Sequence, residues 1–114
     1  MGRLDKINEQ LKREISFIVQ RDMEDPRFQF VSITHVDVSK DLRHAKIHYS
    51  VLGDFKAAES AYAAFQSAKG HIRKLLGKNM PLKFIPELNF VFDDSILNSA
   101  KIEETIREIN EDDE

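Results

Sequence analysis

From Ala45 to Val51 apolar and polar residues alternate without exception, Ala45, Ile47, Tyr49 and Val51 against Lys46, His48 and Ser50. That period of two is the mark of a β-strand with one buried face and one wet face. The rest of the chain must therefore cover one side of a small sheet. At 114 residues it has length for one domain with a single modest core.

Upstream, Val31 and Ile33 fall on odd numbers but Val36 and Val38 on even ones. One apolar face survives that switch only if a residue is inserted, which predicts a strand with a bulge near Thr34-His35. "SKDLR" then supplies turn residues, and the two strands form an antiparallel hairpin. Phe84, Leu88, Phe90 and Phe92 share one parity, and because Pro86 holds off an early start the third strand is expected mainly over Glu87 to Phe92. Its polarity stays open, because a long connection allows either.

Helical spacing fills the gaps. Leu4, Ile7, Leu11, Ile15 and Ile18 mark an amphipathic helix from about Arg3 to Arg21, and Pro26 bars its continuation. After Gly53, Asp54 is a candidate N-cap for an Ala-rich helix. Its stripe of Ala58, Ala61, Tyr62, Phe65, Ala68, Ile72, Leu75 and Leu76 stays in phase through Gly70, so periodicity does not say whether this is one helix or two. Gly77 is a candidate residue just past the helix end, and Pro81 a stop. Ser95 to about Asn110 reads as a weaker helix, with Asp94 and Ser95 as its cap, fraying into "EDDE". The class is α+β, a three-stranded sheet covered by helices with a short C-terminal helix.

Charge is uneven. Residues 1–92 hold 15 Lys and Arg against 11 Asp and Glu, a net of +4, whereas residues 93–114 hold 2 against 9, a net of −7. No acidic residue lies between Glu59 and Glu87, while Lys69, Arg73, Lys74, Lys78 and Lys83 all do. This stretch is the candidate polyanion site. Within it Gly70 stands on the side of the helix away from the apolar stripe, where an interior glycine costs about 1 kcal/mol relative to alanine. Either it is a tolerated turn or helix terminus, or its bare backbone, at or beside a helix N-terminus, lets a phosphate reach free N–H groups.

Residues 67–76, "SAKGHIRKLL", with "EDPRF" at 24–28, "VDVSKDLRHAKIHYSVLGD" at 36–54 and "PELNFVFDDS" at 86–95, resemble the ribosome-binding factor A family over roughly residues 1–107. The resemblance implies a type II KH-like fold, helix–strand–strand–helix–helix–strand. In that family Ala-x-Gly replaces the usual Gly-x-x-Gly at a kink between two helices, here Ala68-Lys69-Gly70. It further implies a partner, the small ribosomal subunit and its rRNA late in assembly, with roles in rRNA maturation including the 5′ end and in adaptation to cold. Carried over as candidate RNA-binding residues are Ala68, Lys69, Gly70, His71, Arg73, Lys74, Lys78 and Lys83. At Lys83 the family commonly has arginine, so charge is kept but a guanidinium fork is lost. Residues 1–107 are expected to be the RNA-binding domain and 108–114 an acidic tail, shorter than in some relatives.

Other patterns are weaker. His44 and His48 share a strand face but adjoin no cysteine or third histidine, so a metal site is not expected. Asp93 and Asp94, adjacent in a strand, would point to opposite faces and so do not suit a carboxylate pair; Asp94 with Ser95 suits a helix cap better. No nucleophile elbow or phosphate-loop pattern occurs and there is no cysteine, so no enzyme, cofactor or disulfide framework is expected. Phe84, Phe90 and Phe92 read as core rather than as base-stacking platforms, with Phe28 and Phe30 open. No apolar run could span a membrane and no secretion or myristoylation signal is seen, and with no cysteine either a cytoplasmic chain is expected; a monomer is expected as well. The alternatives are a general single-stranded RNA binder, or a protein interaction module using the hairpin edge and tail helix.

Overall fold

The computed structural model describes residues 2–93, apart from the side chain of Asp22. Helix α1 runs Arg3–Phe17 and continues as a π-helical turn over Ile18–Asp22, matching the expected span. Asp5 secures its start by accepting from the Gly2 N–H at 3.1 Å. Leu11, Ile15, Ile18 and Val19 are buried from this element. A 3-10 turn at Pro26–Phe28 follows, capped by Asp25, whose carboxylate accepts from the Arg27 N–H and is clamped by the Arg27 guanidinium.

Strands β1 (Val31–Val38) and β2 (His44–Val51) form the antiparallel hairpin. The register slips between Ile33 and His35, so the bulge lies where the parity switch placed it. The inserted Thr34 turns its hydroxyl to Asp93, donating to the carboxylate at 3.0 Å. β3 (Glu87–Phe92) lies on the other side of β2 and parallel to it, giving the order β1-β2-β3. A parallel neighbour needs a crossover connection, and helix α2 (Phe55–Asn79) supplies it. Asp54 caps α2 through the Ala57 N–H at 3.0 Å. Gly53, at φ +147°, makes the strand-to-helix turn in a conformation that side chains rarely adopt.

The helices cover one sheet face. Phe65 of α2 is the hub of that layer, stacked on Phe90 at 4.3 Å and meeting Tyr49 at 4.6 Å and Phe28 at 4.9 Å. Such aromatic pairs add about 0.5–1.5 kcal/mol each beyond the area they bury. Ala58, Ala61, Ala64 and Ala68 are all buried, and their small side chains leave room for this ring cluster between helix and sheet. Ala64 joins the stripe read from the sequence, while Tyr62 and Leu75 are only half-buried.

Two expectations are corrected. α2 is one helix of 25 residues, uninterrupted at Gly70, so the expected division into two helices there is not seen. Ala68 and Ile72 stay on the buried face on either side of the glycine, and a straight course keeps both on the sheet. Nor does the helix end at Gly77. Pro81 disfavours helical backbone at Met80, which is extended (φ −120°, ψ 136°) with its side chain buried, so the helix reaches Asn79. The element order is otherwise that of the KH-like α+β fold. The expected helix from Ser95, its Asp94 cap and the acidic tail lie outside the described residues.

Candidate nucleic-acid interface

The basic residues of the central stretch come from the C-terminal half of α2 and the segment linking it to β3. Lys74, Lys78 and His71 are exposed and Lys69 is half-buried, all on one rigid helix. Lys78 also sits in the last turn, where a cation meets the negative end of the helix dipole, worth roughly 0.3–1 kcal/mol. Ala68 faces the core at 8% exposure, so its side chain packs and is not offered to a ligand.

Gly70 is exposed, and a Cβ built on it would meet nothing within 4 Å. Because it lies deep inside α2, its N–H belongs to the helix ladder, and the idea that a phosphate reaches free N–H groups beside a helix N-terminus fails here. What the glycine leaves is a bare patch of helix surface between Lys69 and His71.

Arg73 is partly committed. Its Nη2 donates to the Ile85 carbonyl at 3.0 Å and its Nε to the Pro86 carbonyl at 3.2 Å. The arginine thereby fastens the α2–β3 link to the helix. Lys83 and Phe84 project from that fastened link, both exposed, with the Lys83 ammonium 5.7 Å from the centre of the Phe84 ring.

The phenylalanines divide differently from the sequence reading. Phe28 and Phe90 are buried and Phe92 half-buried, but Phe84 is 71% and Phe30 55% exposed. Parity misleads at Phe84 because regular strand begins only at Glu87, after Pro86.

Facing Phe84 is the β1–β2 turn. Leu42 there has φ +63°, rare for a branched side chain, and is held by its N–H to the Ser39 carbonyl at 2.9 Å. The Ser39 hydroxyl, and next the Arg43 N–H, hold the Asp41 carboxyl below its usual value. The Arg43 carbonyl accepts from the Glu87 N–H at 2.8 Å, tying the turn to the start of β3. No local sequence pattern marks Arg43 as a site residue, and His44 enters the sequence reading only with His48, as a metal pair that is not expected. His44 lies 3.7 Å from the Glu87 carboxylate, while His48 neighbours His35 across the strands, so the two histidines are drawn to different partners. Among the described residues no group of three or more histidine or acidic side chains is placed to hold a metal, and no helix is long and apolar enough to cross a membrane.

The family model for ribosome-binding factor A matches residues 3–106. Ribosome-binding factor A of Halothermothrix orenii is 42% identical over 112 residues, covering 98% of this chain and 92% of that one. Its counterpart from Acetivibrio thermocellus is 41% identical over 109 residues, covering 95% and 89%. Two structures share the fold at 24% identity. The crystal structure of ribosome-binding factor A from Thermus thermophilus superposes with a TM-score of 0.71 over 80% of this chain and 96% of that one. A homology model of the Thermus thermophilus factor, fitted into the cryo-EM map of its 30S complex, gives 0.65 over 76% and 91%. With four separated sequence motifs, the bulged hairpin and parallel third strand, and a match running almost end to end, this chain belongs to the ribosome-binding factor A family.

Proposed function

We propose that this chain docks on the immature small ribosomal subunit and holds a local rRNA conformation while maturation proceeds, including at the 5′ end, with a contribution to growth in the cold. It acts by binding, as a cytoplasmic monomer without catalytic chemistry. The observation that carries the reading is the run from Lys69 to Lys83, without an acid between Glu59 and Glu87, displayed largely on one rigid helix. Lys69, Lys74, Lys78 and Lys83 meet phosphates, His71 lies beside them, Gly70 gives close approach, Arg73 orients the link, and Ala68 sets the helix against the core. Residues 1–107 form the working unit. The related factor fitted into a 30S map supports the choice of partner.

Sedimentation of a cell lysate tests this. The chain should travel with free small subunits or their precursors. Spread across bulk RNA would indicate a general single-stranded RNA binder, and migration free of all RNA a protein interaction module; either result overturns the proposal.

A further inference from the structure

Between the β1–β2 turn and the α2–β3 link lies an open cleft of about 590 Å³, within the range of small-molecule sites. Leu42, Arg43, His44, Arg73, Phe84 and Glu87 contribute to its walls. We propose that this cleft takes one unpaired RNA nucleotide, its base stacked on Phe84 and its phosphate beside Lys83 and Arg43. This deepens the reading of the chain as an rRNA-docking factor and rests on it.

Phe84 is 71% exposed although its neighbours are anchored: Pro86 is buried, Ile85 half-buried, and Arg73 grips both of their carbonyls. The segment that carries the ring is thus fixed, so little backbone freedom is lost when a flat partner covers it. An aromatic face flanked by cations suits a nucleotide, since the ring meets the base while the cations meet the phosphate. Arg73 keeps Nη1 without a partner among the described residues, and Arg43 and Lys83 add positive charge. Glu87 disfavours a bare phosphate in the same cleft, but its carboxylate accepts hydrogen bonds and so suits an exocyclic amine of a base. Asp41 is already occupied by the Ser39 hydroxyl and the Arg43 N–H. A base inside a duplex has both faces covered, so the occupant is unpaired.

The chain has no tryptophan, so Phe84→Trp places its single tryptophan at the site, excited apart from the two tyrosines. Titration with single-stranded oligoadenylate should quench it, and an RNA duplex at equal nucleotide concentration should not. No quenching by the single strand, or equal quenching by the duplex, would overturn the proposal. In parallel, Phe84→Ala should weaken binding to purified small subunits roughly 5- to 150-fold, with Phe84→Trp retaining affinity. Melting of Phe84→Ala should stay near wild type, because the ring is exposed. Phe84→Ala binding subunits as well as wild type defeats the nucleotide site and leaves the docking function standing. Lost subunit binding without oligonucleotide quenching assigns the ring to a ribosomal protein and also overturns the proposal. If the wild-type chain fails to bind subunits at all, the docking function falls, while quenching still decides the cleft.

Discussion

The Arg73 guanidinium donates to the Ile85 carbonyl at 3.0 Å, joining the exposed side of α2 to the segment that leads into β3. A residue that sequence nominates for RNA contact is therefore also a structural fastener, since the same group reaches Pro86 as well. Arg73→Ala should destabilise the domain by about 1–2 kcal/mol in urea denaturation, given two hydrogen bonds from a charged donor at a largely exposed site. Arg73→Lys should recover little of this, because one ammonium does not reproduce the two-pronged fork. Full stability of Arg73→Ala would show that the link is held by Pro86 burial alone.

Gly70→Ala should raise stability by up to about 1 kcal/mol, since the position is plain helix with open space where the methyl would go. Thermal melting reads this directly. Subunit binding should fall in the same variant if RNA approaches the bare helix backbone. A more stable variant that binds as well as wild type would confine the contact to the lysine side chains.

Replacing Lys69, Lys74 and Lys78 together by alanine should weaken subunit binding and flatten its logarithmic salt dependence by up to about 2–3 units, because fewer counterions are released. The fold should persist, with a small loss from Lys78 at the helix end. Binding unchanged across several salt concentrations would move the RNA path to α1 or the hairpin.

Asp25 and Asp41 have carboxyls held below their usual range, Asp25 chiefly by the Arg27 side chain and Asp41 chiefly by the Ser39 hydroxyl. A depressed folded-state value means the stabilisation is present above the unfolded value, about 3.9, and is lost as pH falls through the folded one. Melting temperature should therefore drop as pH is lowered below about 4, and less steeply in an Asp25→Asn, Asp41→Asn double variant. Parallel curves for the two proteins would mean these carboxyls do not drive the acid transition.

What could be read in advance follows the range of the forces involved. The bulge was legible because parity changes between Ile33 and Val36, a local signal, and the Asp54 cap likewise. The parallel polarity of β3 was not, since it depends on how a 25-residue helix returns the chain. Gly70 misled because the penalty of an exposed helix glycine, about 1 kcal/mol, is small beside the burial of Ile72 and Leu76, which a continuous helix preserves. The cleft was invisible for another reason: Arg43, Arg73 and Phe84 are brought together by pairing and crossover, not by spacing.

The unbroken course of α2 has a mechanical consequence. At about 1.5 Å per residue it is a strut of roughly 37 Å, packed on the sheet from Ala58 to Leu76 with the Phe65 ring cluster near its middle, and carrying Lys69, Lys74 and Lys78 on its C-terminal half. A strut without a joint does not bend to meet an irregular surface, so the lysines from Lys69 to Lys78 keep their mutual spacing on docking. Under the proposed docking, the adjustment of shape would fall on the RNA, with the helix as a straightedge for the segment laid against it.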